Sequence, residues 1–430
     1  MTKSYKPNRG QLKLREVLMD DTKTRVLCYA GARAGKTFEF VRSIVVRALH
    51  APKSRHAIIR KHFSIAKKYI WLDTLPGVIE LCFPNLKGQI EINKSDYFYR
   101  LPNRSEIWIG GLDDKDRADK ILGGEYNTMF FNECSEKSWH AVSTALTRLA
   151  KKSERLNGQD LINKAYFDTN PPSKSHWSYK LFFEGIDPET RIQVTDGHKY
   201  QAVHVSPDDN VENLSDDFLE TLKNLTGAKR KRFYEGAYQD EIQGALWTEA
   251  IINKSRDPER KEFDRIAVAI DPATTTSENS DETGIIVVGK KGNDFYVIDD
   301  SSGYYSPNGW AGKAISLYKR HRADRVIGEA NNGGDMIEAI IRNLDKDIPY
   351  SKVWASRGKI TRAEPVAALY EQGRVHHMKE LVDLEYEMTN YTGTTSEDSP
   401  NRMDALVWAI TYLMDKDKQT DPDKLKNIFF

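Results

Sequence analysis

Two groups of residues in this chain have the types and spacing that phosphate chemistry needs. The first is Ala30-Gly31-Ala32-Arg33-Ala34-Gly35-Lys36-Thr37. Its small residues let successive backbone N–H groups turn toward a bound phosphate, and the helix expected to follow would add positive potential at its N-terminus. Lys36 can reach β- and γ-phosphates, and Thr37 carries a hydroxyl suited to Mg²⁺. The strict pattern opens on Gly, where this chain has Ala30. Hydrolysis also needs an acid at the end of a second strand, and Thr128-Met129-Phe130-Phe131-Asn132-Glu133 offers one. Asn132 stands where Asp is usual: its amide can accept a hydrogen bond from metal-bound water but adds no negative charge. Glu133 is the candidate general base. Gln11 is placed to read an adenine edge by two hydrogen bonds. Thr169 and Asn170, after a further strand, are candidates for sensing the γ-phosphate and transmitting hydrolysis. Arg33, or alternatively Arg117 or Arg148, could neutralise transition-state charge.

The second group is a set of carboxylates at the ends of elements far apart in sequence: Asp271 after Ile266-Ala267-Val268-Ala269-Ile270, Glu329 after Val326-Ile327-Gly328, and Asp404 at the start of an apolar helix. If a fold gathers them, they are oxygen ligands for two hard cations that activate water against a phosphodiester. Asp281 and Asp300 are reserve ligands, and Asp299 or Asp300 could instead cap the turn into Ser301-Ser302-Gly303. Gly328 and the glycines of Asn331-Asn332-Gly333-Gly334 would let a polyanion backbone approach beside Glu329.

The elements that must position these residues can be read from periodicity. In the first half, short β-prone runs (25–29, 57–60, 106–109, 128–131, 165–168) alternate with helical segments such as 37–49 and 138–150. That alternation predicts an α/β fold with a mostly parallel sheet. A polar helical stretch, 211–262, separates it from a second α/β unit, 263–415, which opens with a three-stranded antiparallel meander followed by helix, strand and helix. Residues 416–430 read as a mobile tail. At 430 residues, two domains are the expectation. Charges nearly cancel, 64 Lys+Arg against 63 Asp+Glu, so a polyanion must be held by local patches; Lys67-Lys68, Lys229 to Arg232 and Arg357 to Arg362 are candidates. No apolar stretch approaches the roughly 20 residues of a membrane span, and the N-terminus lacks a signal-peptide core, so a cytoplasmic protein with no membrane contact is expected. Cys28, Cys82 and Cys134 fit neither a disulfide framework nor a zinc site.

Taken in order, Gln11, Ala30 to Thr37, Asn103 to Gly111, Ile121 to Glu133, Asp168 to Trp177, Asp208-Asp209-Asn210 and the acids Asp271, Glu329 and Asp404 make the chain resemble the large terminase subunit of tailed double-stranded DNA bacteriophages. The resemblance implies a P-loop ATPase domain of the additional-strand, catalytic-glutamate type (1–210), a linker or small helical subdomain (211–262), and a ribonuclease H-like nuclease domain (263–415). ATP hydrolysis would drive double-stranded DNA into a procapsid and a two-metal endonuclease would cut the concatemer, with ATP and Mg²⁺ as cofactors and Mn²⁺ as a substitute. It further implies a portal protein and a small terminase subunit as partners, a homo-oligomeric ring on the capsid formed by a chain monomeric in isolation, and a location in the host cytoplasm, transiently at the procapsid portal. The competing reading is a helicase-like or repair ATPase fused to a resolvase- or transposase-type ribonuclease H-like domain.

Overall fold

The computed structural model describes residues 5–112, 115–240, 244–272, 282–329, 334–354, 358–393 and 399–415. Asp281, residues 330–333, Arg357 and the expected tail 416–430 lie outside these, as does the side chain of Arg117. The chain divides into two compact units, Met1–Asp240 and Glu241–Phe430. Segment 211–262, expected to stand between domains, is shared by them. Phe233 in the first unit accepts a hydrogen bond from Ala32, and Trp247 and Ile252 belong to the core of the second. No helix among the described residues is long and apolar enough to cross a membrane.

The strands of the first unit are β1 (Arg25–Ala30), β2 (Arg55–Arg60), β3 (Glu91–Asn93), β4 (Phe98–Arg100), β5 (Glu106–Gly111), β6 (Thr128–Phe131), β7 (Lys164–Thr169) and β8 (Tyr200–Val205). They form one sheet in the order β3-β4-β5-β2-β6-β7-β1-β8. Pairing is parallel from β5 to β8, and only β3-β4-β5 run antiparallel at the edge. Every residue of β6 and β7 is buried, as expected of central parallel strands covered on both faces. β7 lies between β1 and β6, so the strand carrying Glu133 is separated from the loop-bearing strand by one additional strand. Helix α1 (Arg9–Met19) precedes β1, and α2 (Lys36–His50) follows it. α2 buries Phe40, Val41, Ile44, Val45 and Ala48, the apolar face that its helical spacing anticipates. The helix expected over 138–150 is shorter, Trp139–Leu146; beyond it the chain turns, and Arg148 exchanges backbone hydrogen bonds with Ala145 and Tyr126.

The second unit contains β9 (Arg265–Asp271), β10 (Gly284–Lys291), β11 (Asp294–Asp300), β12 (Arg325–Glu329), β13 (Tyr350–Val353) and β14 (Val375–His377), ordered β13-β12-β9-β10-β11-β14. The antiparallel meander β9-β10-β11 and the parallel β12 match the expectation; β13 and β14 are parallel edge strands that the sequence reading did not foresee. The helix Asn401–Asp415 packs against this sheet through Met403, Leu406, Val407 and Ile410, in one core with Ala267, Ile286 and Val288.

Candidate active sites

In the first unit, Lys36 and Thr37 of the loop meet Asn132, Glu133 and Asn170 at the C-terminal edge of the parallel sheet, where open α/β sheets bind ligands. Gly35 caps α2 at φ 85°, a left-handed conformation that a side chain disfavours. Gln11 is buried beneath the loop: its Nε2 donates to the Gly35 carbonyl at 3.2 Å, and its Oε1 accepts from the Asn8 N–H at 3.0 Å and from the Tyr5 hydroxyl at 3.2 Å. Asn210, from the Asp208-Asp209-Asn210 segment, donates to the Arg33 carbonyl at 2.7 Å and accepts from Asn8 Nδ2 at 2.8 Å. Both amide side chains therefore tie the loop to flanking segments. The Arg33 side chain is exposed, on a backbone at φ 58°. Arg148 is exposed and donates to Thr147.

The Lys36 ammonium lies 2.8 Å from Asn170 Oδ1 and 3.5 Å from Glu133 Oε1. The Asn170 N–H donates to Glu133 Oε2 at 3.3 Å. Loop, second-strand acid and the Thr169-Asn170 strand end thus converge, although the Thr169 hydroxyl itself donates to the Asn170 carbonyl. Burial alone would lower the basicity of Lys36, yet Glu133 and then Asp168 hold it above its ordinary value. Burial likewise works against ionised Glu133, but Lys36 and Arg60 pull it below the usual carboxylate range. Lysine and glutamate are mutually fixed as an ion pair. Glu133 adopts φ 48°, uncommon for a residue with a side chain, and such outliers concentrate at functional sites.

Sequence reasoning gave no role of their own to two neighbours of this site. Lys137 is buried, burial pushes it down to about 8, and it donates to the carbonyls of Asn132 at 2.5 Å and Glu133 at 3.1 Å, pinning the end of β6. Asp168, fully buried at the end of β7, accepts from the Thr37 hydroxyl at 2.7 Å, from the Glu133 N–H at 2.6 Å and from Asn132 Nδ2 at 2.9 Å. A carboxylate one residue ahead of Thr169 was the available signal.

In the second unit, Asp271 ends β9 and Glu329 ends the adjacent parallel β12, where Gly328 pairs with Ile270. Asp404 sits fully buried in the first turn of the helix Asn401–Asp415. Burial, and next the charge of Asp404, push Asp271 up to about 8, with Glu329 adding to the rise and Lys359 opposing it. The three acids are therefore within electrostatic reach of one another. Two cations from the helix Lys359–Glu371 join them: the Lys359 ammonium pairs with Asp404 Oδ2, and Arg362 Nη2 lies 3.0 Å from Asp404 Oδ1 and 3.9 Å from Glu329 Oε2. Arg362 also stacks 4.5 Å over Trp408, whose Nε1 donates to Glu329 at 3.2 Å. Among the described residues, no three His, Cys, Asp or Glu side chains are arranged to hold a metal ion. The donor set is all carboxylate oxygen, as hard cations require, but in this conformation Lys359 and Arg362 neutralise it.

Three expectations are corrected here. Asp300 is no ligand of this cluster: its Oδ2 is held by Arg402 at 2.8 Å, and its Oδ1 caps the turn by accepting from the Ser302 N–H at 2.9 Å. Gly328 serves packing, since a Cβ there would come within 2.7 Å of the Tyr350 hydroxyl and 3.3 Å of Ile337. The basic run reaching Arg362 turns two of its cations onto the acids. Of the other basic patches, Lys67, Lys68, Lys229 and Lys231 are exposed, while Arg230 pairs with Glu235 at 3.1 Å and Arg232 stacks on Phe233.

The family model for the terminase large subunit, T4likevirus-type, N-terminal, matches residues 27–254, more than half of the chain, and that for the terminase RNaseH-like domain matches residues 268–415. No curated protein matches. Among solved structures, the chain is similar to the large terminase of a thermophilic bacteriophage, at 16% identity over 95% of this chain and 100% of that one, with a TM-score of 0.45. It is also similar to the HK97 bacteriophage large terminase, at 10% identity over 95% of each chain and a TM-score of 0.45. The nuclease domain of the large terminase subunit gp2 of bacterial virus Sf6 matches at 15% identity over 39% of this chain and 98% of that one, with a TM-score of 0.31. The chain belongs to the terminase large subunits, the phage enzymes that join an ATPase domain to a ribonuclease H-like nuclease domain to package and cut DNA.

Proposed function

We propose that the loop Ala30 to Thr37 binds ATP with Mg²⁺, that Glu133 is the general base for the attacking water, and that Lys36 neutralises the β- and γ-phosphates. The observation that carries this reading is the convergence of Lys36, Glu133 and Asn170 within hydrogen-bond and ion-pair distance. Before nucleotide binds, Lys36 is charge-paired with Glu133; a γ-phosphate competes for the ammonium and leaves Glu133 free to orient water. Asn170 touches both partners, so Thr169 and Asn170 are positioned to pass loss of the γ-phosphate into β7. Gln11 supports the loop beside the expected adenine site, and Arg33, exposed beside the loop, is the candidate for transition-state charge.

In the second unit, Asp271, Glu329 and Asp404 would hold two Mg²⁺ or Mn²⁺ ions once Lys359 and Arg362 withdraw. Bound metal would supply the charge that activates water and stabilises the leaving oxygen. The acids provide ligands at rigid strand and helix ends, and Trp408 orients Glu329 through its indole N–H. The substrate is double-stranded DNA, gripped by phosphate contacts from exposed lysines such as Lys67, Lys68, Lys229 and Lys231. The partners are a portal protein and a small terminase subunit, with the chain monomeric alone, ring-forming on the capsid, and working in the host cytoplasm at the procapsid portal.

The deciding experiment pairs ATP turnover with plasmid cleavage in Mg²⁺ and in Mn²⁺. Lys36→Ala should lose turnover and keep cleavage; Asp271→Ala should do the reverse. Turnover surviving Lys36→Ala would refute the first site, and cleavage surviving Asp271→Ala the second.

A further inference from the structure

Asn132 is the departure that most weakens the nucleotide site on paper, because the position ordinarily supplies a carboxylate to the metal. The geometry points to a transposed ligand: we infer that Asp168, on β7, provides the negative charge for the nucleotide-bound divalent cation that Asn132, on β6, lacks. The inference rests on the ATP-binding reading and extends it to a residue that reading does not use.

Three observations carry it. First, the parallel register pairs Phe131 with Phe167, so Asn132 and Asp168 emerge side by side at the same sheet edge. Second, Asp168 Oδ2 accepts the Thr37 hydroxyl hydrogen at 2.7 Å. That bond spends the hydroxyl hydrogen on Asp168, so a lone pair of Oγ1 remains for a cation even with Asn132 Nδ2 donating to the other, and it brings a carboxylate beside the hydroxyl. Third, Asn132 is built as the partner of that carboxylate. Its Nδ2 donates to both Asp168 oxygens, at 2.9 and 3.0 Å, and to Thr37 Oγ1 at 3.3 Å, while its Oδ1 is buried with no hydrogen-bond partner. Turning the amide over would set its oxygen against the carboxylate, so the carboxylate dictates the orientation. An Asp at 132 would put two carboxylates about 3 Å apart, a pair that cannot both ionise easily. With the charge on Asp168, an amide at 132 is the residue the site requires.

Two substitutions at this pair should be silent in the fold. In Asp168→Asn the new side chain can still accept from the Glu133 N–H through its oxygen, and Asn132 can flip to present its unpartnered oxygen to the new amide. In the reversed pair, Asn132→Asp with Asp168→Asn, one carboxylate and one amide again face each other.

The test is the affinity of a fluorescent ADP analogue measured in Mg²⁺ and in EDTA, with thermal melts to check folding. Wild type should bind at least tenfold tighter with Mg²⁺. Asp168→Asn should bind with the same affinity in both conditions, and the reversed pair should regain most of the Mg²⁺ enhancement. Full Mg²⁺ enhancement in Asp168→Asn overturns the inference, as does a folded reversed pair that regains none, which would leave Asp168 a purely structural acceptor. Wild type that fails to bind the analogue at all overturns the ATP-binding reading and the inference with it. That failure is distinct from a wild type that binds with a Mg²⁺ enhancement shared by Asp168→Asn.

Discussion

Replacing Glu133 by Gln separates the two roles that its position implies. The substitution keeps an oxygen to accept the Asn170 N–H, now 3.3 Å from Oε2, and keeps the side-chain size at a backbone already held at φ 48°. What it removes is one charge, 3.5 Å from the Lys36 ammonium. At that separation, with an effective dielectric of about 20, the gross attraction is about 5 kcal/mol. Both side chains are largely shielded, at 7% and 17% exposure, so solvent screening takes only part of it. Nucleotide binding reports the difference between this attraction and that of Lys36 for phosphate. Losing Glu133 therefore leaves nucleotide affinity unchanged or improves it. Catalysis goes the other way, since loss of a positioned general base costs roughly 10²- to 10⁴-fold in kcat, about 3–5 kcal/mol of barrier. Steady-state ATP turnover with a parallel nucleotide titration reads both. A kcat within tenfold of wild type, or a rise in KM with kcat intact, would refute the assignment of Glu133 as base.

The nuclease cluster and its surroundings make two further predictions. Lys359→Met removes the cation paired with Asp404, so divalent metal no longer competes with it, and half-maximal cleavage should need about tenfold less Mn²⁺, a difference of about 1.4 kcal/mol. An increased Mn²⁺ requirement would mean that Lys359 helps to assemble the site. Away from the cluster, Glu385 accepts from His377 Nδ1 at 2.8 Å and from Arg256 at 2.5 Å; although burial opposes its charge, these partners lower it from 4.5 to about 2. A depressed carboxylate contributes stability above its unfolded pKa and loses it as pH falls through the folded value. Glu385→Gln should thus cost about 3 kcal/mol at pH 7, with the gap to wild type closing between about pH 4.5 and pH 2 in urea melts. A pH-independent gap would contradict the linkage.

Local features of this fold were open to sequence reasoning because their causes are local. Gly35 must adopt a left-handed cap, β6 and β7 are continuous buried runs, and acids at strand ends announce themselves by following apolar stretches. The strands that escaped, β13 and β14, are four and three residues long, too short for alternation to register, and they pair in parallel with β12 and β11 at the two edges of the sheet. Lys359 and Arg362 looked like a patch for DNA because composition records charge but not the face a helix turns. Asp168 also follows an apolar run, but its role beside Thr37 and Asn132 was hidden for a deeper reason. In a parallel sheet every strand ends at the same edge, so a carboxylate on β7 and one on β6 can reach the same few ångströms of space although their neighbours in sequence differ. A motif read along the chain assigns chemistry to a position; the sheet assigns it to an edge. The pairing of Phe131 with Phe167 makes Asn132 and Asp168 interchangeable in what they can touch, and a missing charge at one becomes a loss of function only if the other is also neutral.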